Sequence, residues 1–219
     1  MIERVVAASV HGRYLIEAPA APRPWYMLAA FHGYAEDAEI QLERIRETSQ
    51  RAGSRGWLLV AVQGLHAFYR GRRRDVVASW MTRQNRDLAI ADNIAYAQSV
   101  VAEAAREFDV TARVVYAGFS QGVAMAFRAA CASPLPVGGV IALGGDVPPE
   151  LDPRALERIP AALMSRGRSD EAYTPAAFEE DVERLRTARC AVTPFQFDGG
   201  HEWTSAFSEA AAGFLRECR

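Results

Sequence analysis

Nearly continuous apolar runs divide this chain at regular intervals from residue 25 onward. They are rich in Val, Leu, Ile and aromatic residues with little polar alternation, which is typical of strands buried on both faces of a sheet. Between them lie helical stretches, at about 36–52, 87–108, 121–132, 174–188 and 203–217. This alternation predicts an α/β fold with a mostly parallel sheet covered by helices on both faces. The runs read WYMLAAFHG, WLLVAVQG, RVVYAGFS, VGGVIALGG, AALMSRGRSD and CAVTPFQFDGG.

Two shorter apolar runs precede this series, RVVAAS at 4–9 and YLIEA at 14–18. Only the residues VHGR separate them, which predicts an antiparallel N-terminal hairpin at the edge of the sheet. A chain of 219 residues can bury a substantial core. We therefore expect one domain that spans residues 1–219.

The charge composition excludes several kinds of chemistry. All 25 basic residues are arginine, so no lysine is present for a P-loop, a Schiff base or a Ser-x-x-Lys pair. The net charge of -2 argues against nucleic acid as a partner. No apolar stretch approaches the length of about 18 residues that a membrane span needs, so stable membrane insertion is not expected.

The cysteines give no sign of a metal or disulfide framework. Cys131, Cys190 and Cys218 are far apart and form no Cys-x-x-Cys spacing for zinc or redox chemistry. A reducing cytoplasm is therefore the expected compartment, and no zinc site is expected. The oligomeric state stays open, with a homo-oligomer as one option.

The segment Gly118-Phe119-Ser120-Gln121-Gly122 lies where a predicted strand turns into a helix. Such a sharp reversal crowds the backbone, and the two glycines relieve the crowding. A serine at the apex is then held in a strained conformation with its hydroxyl clear of both elements. This pattern is typical of the nucleophile elbow of α/β-hydrolases, in which the N–H of the following residue, here Gln121, forms half of an oxyanion hole.

Two later strand ends carry an acid and a base. Asp170 follows the run at 161–167, and His201 follows the run at 191–197, so the order along the chain is Ser, Asp, His, as in α/β-hydrolases. A serine hydroxyl becomes nucleophilic when an imidazole takes its proton and a carboxylate orients that imidazole. We predict Ser120 as the nucleophile, His201 as the base and Asp170 as the acid that orients it.

Other carboxylates compete with Asp170 for the orienting role. Glu171 and Asp198 lie close to it or to His201 in the sequence, and Asp146 follows an alternative strand end. His201 has no such rival, because it is the only one of the four histidines that stands after the last strand.

The loop after the run at 25–33 is expected to supply the second oxyanion donor. His32-Gly33 allows a tight turn that leaves the N–H of Tyr34 free to face a developing oxyanion. For His32 itself we expect a structural role, with its ring hydrogen-bonded to the loop backbone.

Several of these motifs together resemble one known family. FHGYAEDAE, AGFSQGVAMAF, RGRSDEAYTP and GGHEW, spread over residues 31–203, resemble in order and spacing the phospholipase/carboxylesterase family of α/β-hydrolases, which includes acyl-protein thioesterases. The resemblance implies hydrolysis of carboxylic esters or thioesters without a cofactor, by Ser120, Asp170 and His201, with oxyanion donors at Tyr34 and Gln121. The chain departs from the family in one loop, where His-Gly-Tyr-Ala-Glu-Asp replaces the frequent His-Gly-x-Gly-Asp.

Residues 63–86 are expected to form a loop segment over the acyl site. Its large apolar side chains are candidates for the wall of a short pocket, which would suit small to medium acyl groups, although ordinary core packing is an equal alternative. Four arginines, at 70 and 72–74, fit a solvated surface better than a site for an anionic substrate. The candidate wall residues are Leu65, Phe68, Tyr69, Trp80 and Met81.

Two other functions compete with that of a small-molecule ester or thioester hydrolase. A binding protein could keep the fold and pocket with little turnover, because function depends on the site and not on the fold. An enzyme similar to dienelactone hydrolase would carry cysteine at the elbow, and Ser120 argues against it.

Overall fold

The computed structural model describes residues 1–20, 23, 25–53 and 56–218. The strands are β1 (Tyr14–Glu17), β2 (Tyr26–Phe31), β3 (Trp57–Val62), β4 (His66–Arg70), β5 (Asp75–Ser79), β6 (Val114–Phe119), β7 (Val137–Leu143), β8 (Ala161–Gly167) and β9 (Ala191–Phe197). The helices are α1 (Ala38–Arg51), α2 (Arg86–Phe108), α3 (Gln121–Cys131), α4 (Pro153–Leu156), α5 (Pro175–Thr187) and α6 (Ser205–Glu217).

The main sheet has seven strands in the order β1-β3-β2-β6-β7-β8-β9. All neighbouring pairs from β3 to β9 run parallel, and only β1 is antiparallel to its neighbour. The predicted α/β-hydrolase fold class, a mostly parallel sheet with an antiparallel N-terminal edge, is confirmed. Because the carboxyl ends of parallel strands meet at one edge, the loops after β2, β6, β8 and β9 converge there.

Two apolar layers form the core, one on each face of the sheet. Side chains alternate between them along β2: Met27 and Phe31 pack on the face that α2, α3 and α5 cover, whereas Leu28 packs on the face that α1 and α6 cover. Burial on both faces explains the nearly continuous apolar runs of the five inner strands, β2, β3 and β6–β8. The last predicted strand, β9, differs because it lies at the edge of the sheet and is largely exposed.

The antiparallel edge differs from the predicted hairpin. Strand β1 pairs with β3, and residues 4–9 form no strand. A Cβ atom on Gly12 would come within 2.1 Å of the Tyr96 ring of α2, and the Tyr96 hydroxyl donates to the Arg13 carbonyl at 2.6 Å. These contacts direct the preceding chain away from the sheet edge, and residues 5–8 line a groove with Leu88 of α2.

Residues 63–86 also differ from the prediction, because they contain a β-hairpin where a loop was expected. Strands β4 and β5 pair antiparallel, with Phe68 opposite Val77, and form a separate two-stranded sheet. Gly71 and Arg74 adopt positive φ angles of 66° and 59° in the connecting turn. A bridge between Glu36 and Ala78 attaches the hairpin to the loop that follows β2.

Within the described ranges, no helix combines the length and the apolarity that crossing a membrane requires.

Candidate active site

Ser120 lies between the central strand β6 and helix α3, with φ 52° and ψ -123°. This conformation is strained for a residue with a side chain and persists only where packing imposes it. The packing is close on both sides: a Cβ on Gly118 would lie 2.4 Å from the Gly122 carbonyl oxygen, and a Cβ on Gly122 would lie 2.2 Å from that of Phe31. Both glycines are therefore needed to let the turn reverse next to β2.

The three predicted side chains lie in hydrogen-bonding contact, with His201 between Ser120 and Asp170. Its Nε2 lies 2.8 Å from Ser120 Oγ, and its Nδ1 lies 2.8 Å from Asp170 Oδ2. In the neutral imidazole, an Nδ1–H that donates to Asp170 leaves Nε2 free to accept the serine hydroxyl. The ring also packs against Phe119, with 5.1 Å between the ring centres.

The Asp170 carboxylate is held almost without solvent contact, since only 1% of the side chain is exposed. While Oδ2 faces His201, Oδ1 accepts the N–H groups of Ala172 and Tyr173 at 2.9 and 3.0 Å. The buried Arg166 donates to the Asp170 and Tyr173 carbonyl oxygens, both at 2.9 Å, and so fixes the same loop. Three hydrogen bonds therefore fix the carboxylate, two on Oδ1 and one on Oδ2.

The rival carboxylates lie elsewhere. Asp146 and Glu171 are exposed, and the Asp198 side chain is 99% exposed beside Arg168. In the part of the chain that the structure describes, none of the three contacts His201, which makes Asp170 its carboxylate partner.

The two predicted oxyanion donors belong to the elbow and to the loop after β2. Gln121 begins α3, and the loop that contains Tyr34 packs against the elbow through the contact between Gly122 and Phe31. No acceptor among the described residues takes the N–H of Tyr34, whereas the N–H of Gly33 donates to Glu36 Oε2 at 2.8 Å. The assignment of the Tyr34 and Gln121 N–H groups as oxyanion donors stays a prediction.

The Gln121 side chain is fully engaged with the segment after β5. Its Oε1 accepts the Trp80 N–H at 2.9 Å and the Ser79 hydroxyl at 3.2 Å, and its Nε2 donates to the Met81 carbonyl at 3.1 Å. The glutamine of the elbow thus joins the β4–β5 hairpin to the site, a role that the sequence motif did not reveal.

His32 has the structural role that was expected. It is fully buried, Nδ1 donates to the Gly33 carbonyl at 2.7 Å, and Nε2 accepts the Gly64 N–H at 3.0 Å. Burial lowers the pKa of His32, so its imidazole stays neutral while it joins the loop after β2 to the end of β3.

An ion pair beneath the site was missed at the sequence level. Glu36 accepts two hydrogen bonds from Arg44 of α1, at 2.6 and 2.8 Å. The guanidinium of Arg44 lies over the rings of Phe119 and Trp203, 4.6 and 5.4 Å from their centres. No local pattern signals this pair, because it depends on how α1 packs against two other loops.

Comparison with known protein families shows the group to which this chain belongs. The sequence profile described as Phospholipase/Carboxylesterase matches residues 75–219, about two thirds of the chain. The chain belongs to the phospholipase/carboxylesterase family. No curated protein sequence matches it significantly.

Solved structures of similar fold include enzymes of this kind. A carboxylesterase from Bacillus cereus is 16% identical with a TM-score of 0.74, and the match covers 95% of each chain. The esterase PE8 is 20% identical, with a TM-score of 0.73 over 96% of this chain and 100% of the other. Acyl-protein thioesterase 2 from Zea mays is 15% identical, with a TM-score of 0.70 over 95% of this chain and 99% of the other. At these identities the likeness shows a common fold.

The predicted wall residues of this family member separate into distinct groups. Trp80 has no exposed surface, and its indole N–H donates to the His32 carbonyl at 2.8 Å, so it packs beneath the site and cannot line a pocket there. Tyr69 is 62% exposed and stacks with Arg74 at the hairpin tip. The others are partly buried, and the Phe68 ring lies 5.7 Å from that of Tyr34. Phe68 is thus the wall candidate that contacts the loop of Tyr34. Leu65 directly precedes β4, and Met81 lies two residues after β5.

Within the described residues, no group of three or more His, Cys, Asp or Glu side chains has the arrangement to hold a metal ion.

Proposed function

We propose that this protein is a serine hydrolase that cleaves carboxylic ester or thioester bonds of small to medium acyl substrates. The observation that carries the proposal is the pair of 2.8 Å hydrogen bonds from one imidazole, His201, to Ser120 and to Asp170. The strained φ of Ser120 adds support, since strain of this kind clusters at functional sites.

In the first half of the reaction, His201 Nε2 takes the hydroxyl proton as Ser120 Oγ bonds to the carbonyl carbon. The N–H groups of Tyr34 and Gln121 donate to the oxyanion that forms, and two such donors are worth several kcal/mol in the transition state. The C–O or C–S bond then breaks, and the imidazolium returns its proton to the leaving alcohol or thiol.

In the second half, water replaces the leaving group. His201 takes a proton from the water as its oxygen attacks the acyl carbon, and then returns this proton to Ser120 Oγ as the acid leaves. Asp170 stays ionised throughout and stabilises the imidazolium in both halves. No step requires a cofactor or a metal.

The preference for short acyl groups rests on the β4–β5 hairpin. A two-stranded hairpin with a five-residue strand on each side supplies little apolar surface, in contrast to a large helical cap. Phe68 beside Tyr34 can cover only a few methylenes of an acyl chain next to Ser120.

Labelling with a fluorophosphonate probe tests the proposal without knowledge of the natural substrate. Ser120 should be labelled, and Ser120→Ala should abolish both the labelling and the hydrolysis of p-nitrophenyl esters and acyl thioesters, a loss of roughly four to six orders of magnitude in kcat. Labelling that survives Ser120→Ala would refute the assignment. Folded wild-type protein without labelling or turnover would instead favour a binding protein.

A further inference from the structure

The loop that presents Tyr34 is unusual in how its backbone is held. Ala35 has a φ of 57°, a left-handed conformation that costs a residue with a side chain about 1–2 kcal/mol. Its N–H donates to the Ala78 carbonyl at 3.0 Å, and its carbonyl accepts from Arg70 at 2.7 Å. A strained conformation without glycine requires restraints from outside the loop.

Glu36, a residue of this loop, links the loop backbone to Arg44 of α1. Its Oε2 accepts the N–H of Gly33 at 2.8 Å and also pairs with Arg44 at 2.6 Å, while Oε1 accepts from Arg44 at 2.8 Å. The two side chains are only 16% and 18% exposed. The hydrogen bond to Glu36 holds the peptide that precedes Gly33. The next peptide, between Gly33 and Tyr34, carries the Tyr34 N–H, so its direction depends on this restraint.

Arg44 extends the restraint to the other two parts of the site. Its guanidinium packs on Phe119, which directly precedes Ser120, and on Trp203, which follows His201 by two residues. Only a planar guanidinium can donate to a carboxylate in bidentate fashion and stack on aromatic rings at once. One side chain therefore contacts the oxyanion loop, the elbow and the histidine loop.

We propose that Glu36 and Arg44 are positioning residues for the reaction, whose ion pair holds the Tyr34 N–H in register with Ser120 and His201. This inference rests on the function proposed above. It also accounts for the departure from His-Gly-x-Gly-Asp in this chain, since Glu36 and Arg44 supply from side chains a restraint on a loop that lacks the second glycine.

The test is the kinetics of Glu36→Gln and Arg44→Lys, with active sites counted by fluorophosphonate titration. An oxyanion donor acts in the transition state more than in the ground state, so kcat per titrated site should fall about 10- to 100-fold while KM stays within about twofold. If each residue acts through the ion pair, kcat per titrated site in the double variant should be no lower than in the more impaired single variant.

Arg46→Lys is the matched control. Arg46 lies on the same helix and pairs with Glu17 and Glu43, each at 2.7 Å, outside the site. A merely structural role for Glu36 and Arg44 would reduce the number of titratable sites and leave kcat per site unchanged, and that result would overturn the inference. Variants that match wild type in both respects would overturn it as well. Wild-type protein that neither labels nor turns over would refute the proposed function, and this inference with it.

Discussion

The turn at Ser120 and the loop at residues 32–37 pack against each other, yet they are held in different ways. The turn depends on Gly118 and Gly122, where any Cβ would collide with neighbouring backbone. The loop places a non-glycine residue, Ala35, in a left-handed conformation and holds it with contacts from the hairpin and from α1. Both segments hold a non-glycine residue at positive φ, Ser120 in the turn and Ala35 in the loop. In the turn, the glycines make room for neighbouring backbone, whereas in the loop side chains from other elements supply the contacts.

The same contrast separates the two kinds of candidate site residue. Ser120 directly follows β6, and Asp170 and His201 follow β8 and β9 within four residues, so the parallel sheet itself brings them to one edge. Glu36, Arg44 and the Gln121 side chain act through contacts between elements. Perturbing the first group should cost far more activity than perturbing the second.

The largest expected effect in this comparison is that of Asp170→Asn. An amide cannot stabilise the imidazolium and favours the wrong tautomer of His201, so kcat should fall by about four orders of magnitude while the fold is kept. Steady-state kinetics together with thermal unfolding measures both. Asp146→Asn is the control, since Asp146 is exposed and should cost little. The reverse ranking would move the orienting acid to the end of β7.

A second, smaller effect concerns the pH dependence of folding. Burial lowers the pKa of His32 below its ordinary value of 6.5, so the unfolded chain binds a proton there more readily than the folded protein. The contribution of His32 to stability is therefore present above the unfolded pKa and is lost as the pH falls. Between pH 6.5 and 5.5 we expect this residue to lower the free energy of unfolding by up to about 1 kcal/mol.

Urea unfolding at pH 7.5, 6.5 and 5.5 measures this dependence. Gln can still accept the Gly64 N–H, so in His32→Gln the free energy of unfolding should depend less on pH than in wild type. In His66→Gln, at an exposed position on β4, this pH dependence should be as in wild type. Equal slopes in wild type and His32→Gln would show that His32 does not carry the effect.

The features that the sequence predicts are those that depend on local contacts, and the features that it misses depend on distant ones. The main strands, the longer helices and the elbow were predicted because each depends on a nearly continuous apolar run, a helical period or closely spaced glycines. The four-residue helix α4 was not predicted. Residues 4–9 were predicted as a strand because their composition suits one, but the contact of Gly12 with Tyr96 directs them onto α2. The hairpin at 66–79 was missed because a run of arginines fills its turn and hides two short strands.

Side-chain roles were less predictable than side-chain positions along the chain. Trp80 and Phe68 both belong to an apolar segment near the site, but the sequence cannot tell that Trp80 points into the core while Phe68 lies beside Tyr34. The pairing of Glu36 with Arg44 is equally hidden, since it exists only when α1 packs under both Phe119 and Trp203.

The acyl-length profile tests the hairpin as part of the site. Each methylene that finds apolar surface contributes about 0.8 kcal/mol, so kcat/KM should rise up to a few-fold per carbon and level off at roughly four to eight carbons. Phe68→Ala should flatten the profile, because it removes the ring beside Tyr34. Tyr69→Ala is the matched control, as Tyr69 is exposed and stacks with Arg74. A best substrate of about sixteen carbons, or a profile that Phe68→Ala leaves unchanged, would exclude the hairpin as the acyl wall.

The smallest expected effect tests the strain in the oxyanion loop directly. Glycine adopts positive φ without the Cβ penalty, but it also gains freedom in the unfolded chain, so Ala35→Gly should raise the free energy of unfolding by only about 0.5–1 kcal/mol. Ala102→Gly, at an exposed position inside α2, should do the opposite and lower it by about 1 kcal/mol. Chemical denaturation of both variants measures these shifts.

If Glu36 and Arg44 hold the loop, kcat of Ala35→Gly should stay within about twofold of wild type, because those side chains and not the Ala35 side chain fix the Tyr34 N–H. A loss of stability in Ala35→Gly as large as that in Ala102→Gly would show that the left-handed conformation carries no strain, and the contrast between the two loops would then fail at its starting point.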